Sequence, residues 1–403
     1  MNDVPRFSIV TPSYSQAPFI AETIQSVLSQ EGEFEIEYIV MDGGSTDGSV
    51  ELIRRYADQV ARGDWPTRCE GISMHWASQR DSGQSDAINR GLHRATGDIL
   101  SYINSDDLYY PGAFQRVAEE FAARPDVDFV YGDGDVIDEA GRLQWEWLSR
   151  PYDHSVMTSY HFLWNDFTNY IMQQSTFWRR SVIDRIGYLD ETFDYAMDVE
   201  YWVRAGHTGM KLLHIPHKLG KFRMIRGTKS LSSPVVFWDE YLEVFRRYRG
   251  SRGMSMFFAY YYYNLARQCD FDLDQAVEKG QQAFTRWQEL PFGERQIIAQ
   301  QAQRGLALAC LLVANELRRG RFCERAGMTF RRGLANRRLL MLHPFALGYL
   351  LKCVLGVRLS SILDDWIHRV VLAYRHARYD YRYFTKVKVP GKSWLRLRRF
   401  KSQ

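Results

Sequence analysis

Short apolar runs alternate with amphipathic stretches over the first 140 residues. FSIVTP (7–12) is the first run. After it, Phe19, Ile20, Thr23, Ile24, Val27 and Leu28 recur at three- and four-residue spacing, which puts them on one helical face. EYIVMD (37–42) predicts a second strand, Ser49–Tyr56 a helix, and ISMHWAS (72–78) a third strand. Gln84–Ala95 predicts a helix with Ala87, Ile88 and Leu92 on one side. DILSYIN (98–104) and DFVYGD (128–133) predict further strands, separated by a helix starting near Pro111. Strands alternating with helices predict an α/β fold: a mostly parallel sheet flanked by helices. Farther on, 173–187 and 197–206 predict helices, while 211–216 and 218–225 predict strands. Past the Gly/Arg-rich break at Arg249-Gly250-Ser251-Arg252-Gly253 no strand alternation remains. The expected organisation is therefore an α/β domain over 1–250 and a helical domain over 251–403.

Ligands on such sheets bind beyond the carboxyl ends of the strands. The residues found there are Pro12-Ser13-Tyr14, Asp42-Gly43-Gly44-Ser45, Gln79-Arg80-Asp81 and Asn104-Ser105-Asp106-Asp107. Taken singly, each Asp reads equally well as a helix cap. Together they suit a hard divalent cation, which prefers oxygen ligands. Asp198 opens a predicted helix. There it is either a proton acceptor or an acid favoured by the helix dipole.

Composition narrows the partners. With 45% hydrophobic and 25% charged residues, the chain is neither disordered nor fibrous. Its net charge of +4 hides an asymmetry: 25 Lys+Arg against 37 Asp+Glu in 1–250, but 27 against 11 in 251–403. The five Cys form no CxxC pair and the N-terminus shows no secretory signal, so reduced thiols and a cytoplasmic location are expected. Leu339–Val357 approaches the length of a bilayer span. His343, Pro344 and Lys352 interrupt it, which favours an interfacial or core segment. The stretch 385–403 holds seven Lys/Arg and no acid, interleaved with Trp394, Leu395, Leu397 and Phe400. That mixture suits an anionic membrane surface, and Arg318-Arg319-Gly320-Arg321 and Arg331-Arg332 add to it. No nucleic-acid recognition motif accompanies the tail, so no nucleic-acid partner is expected.

Four segments occur in order over roughly 6–230: FSIVTPSYSQAPFIAETIQSVLSQ, EYIVMDGGSTDGS, QRDSGQSDAINRGLHRATGDILSYINSDD and QQSTFWRRSVIDRIGYLDETFDYAMDVEYWVRAG. This combination resembles the inverting family 2 glycosyltransferases of GT-A fold that build bacterial surface polysaccharides. The resemblance implies a nucleotide-sugar donor, UDP-sugar favoured, and a lipid-linked or saccharide acceptor. It implies that Thr11, Pro12 and Tyr14 line the base pocket and that Asp42 holds the base edge, with Ser45 nearby. Arg80 and Asp81 would hold nucleotide and donor sugar, with Asp86, Asn89 and Arg90 facing the same cleft. Asn104, Ser105 and Asp106 would occupy the Asp-x-Asp position that binds the nucleotide sugar, with Asn104 nearer the ribose. Asp106, supported by Asp107, would bind Mn²⁺ or Mg²⁺, and Asp198 would be the general base. In the loop RMIRGTK, Arg226 and Lys229 are either closers over the diphosphate or solvated charges. Two residues depart from the family pattern: Asn104 replaces an Asp, and Met197 replaces the Glu before the base. The combined expectation is a cytoplasmic enzyme, peripheral on the inner face of the cell membrane. The alternatives are a non-catalytic GT-A scaffold or membrane-interaction protein, and a nucleotidyltransferase. The latter would carry a Gly-rich basic loop after the first strand, whereas TPSYSQAP has neither Gly nor base.

Overall fold

The structure is a computed structural model that describes residues 4–158, 171–225, 234–250, 254–281, 289–319, 323–335 and 347. Residues 1–341 form one compact unit, to which every element below belongs; 342–403 separate as a second.

The alternating N-terminal pattern forms β1 (Arg6–Ser13), α1 (Ile20–Leu28), β2 (Gly32–Asp42), α2 (Ser49–Arg62), β3 (Cys69–Ser78), α3 (Gln84–Arg94) and β4 (Ile99–Tyr102). Strands β3, β2, β1 and β4 lie side by side, all parallel. The last seven residues of β1 are all buried, as in a strand covered on both faces. Helix α3 lies directly on β1, and only a glycine fits at the contact: a Cβ on Gly91 would collide with Val10.

Then come β5 (Leu108–Tyr109), α4 (Ala113–Ala123), β6 (Phe129–Ile137), β7 (Leu143–Trp147) and α5 (His154–Met157). A 3₁₀ turn at Gln173–Ser175 leads into β8 (Thr176–Arg179), α6 (Ser181–Ile186), α7 (Met197–His207) and β9 (Leu212–Arg223). The nine-stranded sheet runs β3-β2-β1-β4-β8-β6-β9-β5, with β7 paired to β6. Because β8 is antiparallel to both β4 and β6, the sheet is mixed beyond its parallel half.

Two local expectations change. Residues 173–187, predicted helical, break into the 3₁₀ turn, β8 and α6. Phe177 packs against Phe7, Tyr109 and Phe114, while its neighbour Trp178 packs against Phe129 and Tyr201. A strand that buries consecutive residues on opposite faces has no polar alternation to reveal it. The two strands predicted over 211–225 are one, β9, whose pairing with β6 shifts register past Tyr131.

Helices α8 (Pro234–Arg249), α9 (Ser255–Gln268), α10 (Leu273–Gln281), α11 (Phe292–Arg319) and α12 (Cys323–Ala335) follow. Trp238 and Phe245 of α8 meet Phe257 of α9 edge-on. Gly305 lets α11 close on α9, since a Cβ there would collide with Phe258. Among the described residues α11 is the one helix long and apolar enough to cross a membrane, but 56% of its most apolar stretch is buried inside the protein. Burial of that kind is what a core helix shows. Two members of the basic clusters are also occupied: Arg318 is buried, and Arg332 pairs with Asp274 at 2.6 Å. Segments 339–357 and 385–403 lie outside the described residues, apart from position 347.

Candidate active site

The loops leaving β1, β2 and β3 meet at Gly43. A Cβ there would lie 2.7 Å from Asp81 Oδ2 and 3.2 Å from Tyr14 Cδ2, so the glycine leaves room for both side chains. Asp42 is buried and accepts four hydrogen bonds: from Gly44 N–H, Ser45 N–H, the Ser45 hydroxyl and the Ser78 hydroxyl. Only the Ser45 hydroxyl, at 2.6 Å, falls on Oδ1, so that oxygen keeps acceptor capacity. Ser45 Oγ in turn accepts from Ser15 N–H at 2.8 Å. Thr11 and Pro12 are buried, and the Thr11 hydroxyl accepts from Tyr38. Tyr14, 67% exposed, is the member of that trio which presents its side chain to solvent.

Arg80 is exposed, and Asp81 Oδ1 accepts from Gly83 N–H. On α3, Asp86 pairs with Arg90 at 2.7 Å and accepts from Ser82. Burial pushes the Asp86 carboxyl up, but Ser82 and Arg90 outweigh it and hold it below the usual range. Asn89 differs from the expectation. Its amide donates to Leu189 O and Glu191 and accepts from Leu189 N–H, so it braces the 189–191 loop instead of facing the cleft.

The loop after β4 separates two adjacent carboxylates. Asp107 is fully buried and accepts from Arg223 N–H, Gln174 Nε2 and Asn104 Nδ2. Asn104 also accepts from Gln84 at 2.7 Å, so its amide is spent on structure, and Ser105 is buried. Burial, reinforced by the charge of Asp106, pushes the Asp107 carboxyl well up. Asp106 is partly exposed. Among the described residues, no other residue donates a hydrogen bond to its carboxylate. Burial pushes that carboxyl up to about 6, against a lowering influence from Arg223. Asp106 thus remains available to a ligand, whereas Asp107 is a strut.

Sequence reasoning missed Arg223. Its guanidinium is 1% exposed and donates to Asp106 O, Glu139 O and Glu22 while lying over the Phe19 ring. The signal is absent from the sequence because its partners lie up to 201 positions away. Arg226, the predicted loop cation, lies outside the described residues.

Asp198 is the second residue of α7 and accepts from Val199 N–H at 2.7 Å. Burial pushes its carboxyl up to about 7, and the charge of Glu240 adds to the effect. Its charge reaches the Tyr102 hydroxyl, which also lies near Asp107. That hydroxyl is buried and, among the described residues, has no hydrogen-bond partner. Tyr102 ends β4, so helix α7 and the Asp106 loop border the same strand end.

Carboxylates gathered at the strand ends of such a sheet suit a ligand-binding cleft, and comparison with known proteins gives its class. Residues 8–187 match Glycosyl transferase family 2. Residues 8–187 thus carry a family 2 glycosyltransferase domain, and the relatives that share it are glycosyltransferases. An uncharacterized glycosyltransferase of Mycobacterium tuberculosis is 28% identical over 206 residues, 51% of this chain and 70% of the relative. The PGL/p-HBAD biosynthesis glycosyltransferase of Mycobacterium bovis is 29% identical over 202 residues, 50% of this chain and 69% of the relative. The crystal structure of S. aureus TarS 1–349 in complex with UDP-GlcNAc is 15% identical, covers 83% of this chain and 92% of its own, and has a TM-score of 0.48.

Proposed function

We propose that the protein moves a sugar from a nucleoside-diphosphate donor, UDP-linked by preference, onto a hydroxyl of a lipid-linked saccharide, inverting the anomeric centre. The observation that carries this reading is Asp198: an acid at a helix start, beside the strand-end loop, with its carboxyl near 7. A base poised near neutrality takes a proton effectively and holds it without great penalty. Asp198 would accept the proton of the acceptor hydroxyl as its oxygen bonds to the anomeric carbon. The bond from that carbon to the diphosphate breaks, and the nucleoside diphosphate leaves. One displacement from the opposite face needs no protein nucleophile.

Asp42 Oδ1 and the exposed Tyr14 ring are the groups fit to hold the base. Arg80 and Asp81 border the same cleft. Asp106 suits a divalent cation, Mn²⁺ or Mg²⁺, because its carboxylate is partly exposed and takes no hydrogen bond from another described residue. No cluster of three ligating side chains occurs among the described residues. One or two carboxylates with phosphate and water completing the shell is how such ions are commonly held at nucleotides. When bound, the cation would offset the negative charge of the leaving diphosphate.

Charge supports this reading of the acceptor and the location. A polyprenyl-diphosphate-linked sugar is anionic and membrane-anchored, and the basic 385–403 stretch suits the cytoplasmic face that presents it. Thermal-shift measurements against UDP, GDP, dTDP and CMP, each with and without Mn²⁺, test the donor site. Saturation near one hundred times the dissociation constant stabilises by about 2.7 kcal/mol. Metal-dependent stabilisation by one nucleotide, lost in Asp106→Ala, is expected. Silence toward all four would favour the scaffold reading.

A further inference from the structure

The turn before Asp198 has an unusual anchor. Helix α7 starts at Met197, and Ala196 at its N-cap has no side chain able to accept the free amides there. Glu240 of α8 instead holds the three amides that lead into the helix. Its Oε1 takes Asp194 N–H at 2.8 Å, and its Oε2 takes Tyr195 N–H at 2.8 Å and Ala196 N–H at 2.7 Å. The residue is 1% exposed. Three consecutive amides on one buried carboxylate fix the segment that decides where Asp198 lies. Charge-assisted bonds of this kind are about twice as strong as neutral ones.

Electrostatics point the same way. Among the described residues, Tyr102 from β4 and Tyr241 and Glu240 from α8 interact electrostatically with Asp198. Burial holds both tyrosines neutral, so Glu240 supplies the negative charge. In the chain itself the position before Asp198 is Met197, which brings no charge.

We propose that Glu240 is a positioning residue for the transfer reaction: it fixes the 194–196 turn and supplies, from α8, the carboxylate beside Asp198 that Met197 does not provide. The proposal rests on Asp198 being the base. It makes α8 a working part of the active site.

The test uses the full chain. Steady-state transfer is followed across the neutral pH range for wild type, Glu240→Gln, Glu240→Asp and Asp198→Asn. In Glu240→Gln the donor KM should stay within about twofold while kcat at neutral pH falls about tenfold, the pattern of a lost transition-state interaction. Its acid limb should move to lower pH, because removing a negative neighbour favours ionised Asp198. Glu240→Asp keeps the charge on a shorter arm, so the acid limb should return to the wild-type position with kcat still reduced. An acid limb unmoved in Glu240→Gln overturns the proposal. If that variant does not fold, wild-type kcat in Glu240→Asp overturns it instead. Asp198→Asn separates the two readings: activity kept there sinks the base assignment whatever Glu240 does, whereas activity lost there with an unmoved limb in Glu240→Gln sinks only the role of Glu240.

Discussion

At the scale of single residues, Asp198 carries an opposition between stability and function. Its carboxyl is pushed from an ordinary aspartate value, about 3.9 in an unfolded chain, to about 7 by burial and by Glu240. The folded state therefore holds the proton more tightly. That contribution to stability is complete below the unfolded pKa and is lost as pH rises through the folded one. The proposed role as base needs the opposite, an ionised carboxylate, so transfer should rise with pH through the same region. Asp198→Asn should melt at a higher temperature than wild type above pH 7, with the gap closing in acid, while transfer drops about 100-fold or more. Calorimetry at several pH values and a rate assay check the two halves. Arg223 is the second residue with a sharp expectation. Arg223→Met would strip donors from Asp106 O, Glu139 O and Glu22. Losing the hydrogen bonds of this buried charged donor costs about 1.5–3 kcal/mol, which should appear as a lower denaturant midpoint. The Asp106 carboxyl should also rise, because a lowering charge has gone.

Among the elements, β8 joins the parallel half of the sheet to the rest. It holds β4 on one side and β6 on the other, and Phe177 fills the core that also contains Phe7, Tyr109 and Phe114. Phe177→Ala should destabilise by about 3–5 kcal/mol, read by urea titration, and should loosen the β4 end that supports Tyr102. Helix α11 offers a test of a different kind. Gly305→Val would place methyl groups where Phe258 and the α9 backbone stand, and overpacking of this sort costs about 1–3 kcal/mol. Nucleotide-induced stabilisation should survive the change, since α9 and α11 carry none of the strand-end residues.

For the whole molecule, the relevant property is the division of charge. The acidic part contains the strand-end carboxylates, and the basic part contains 385–403. Arg318 and Arg332 are already engaged in the fold, so the tail is left as the main candidate for an anionic surface. Removing 385–403 should abolish sedimentation with phosphatidylserine-containing vesicles while leaving the nucleotide thermal shift intact. Binding that persists after truncation would assign the membrane contact elsewhere.

The sequence by itself determined what local pattern and short motifs can encode. The run FSIVTP, the faces of α1 and α3, and the strand-end acids Asp42, Asp81 and Asp106 were all visible, because period and turn chemistry act over a few neighbours. It also carried the resemblance to family 2 glycosyltransferases that the match over 8–187 supports, since four motifs in order are a one-dimensional signal. The tertiary structure alone decided which acids stay free. Asp106 and Asp107 are adjacent letters, but Arg223, Gln174 and Asn104 converge on Asp107 and leave Asp106 to a ligand. Asn89 was spent on Leu189, a hundred positions away. Strand β8 was hidden because both of its faces are buried. The clamp of Glu240 on the turn before Asp198 spans more than forty positions. Burial and long-range hydrogen bonds set a carboxylate's pKa and its role, and both exist only once distant parts of the chain have met.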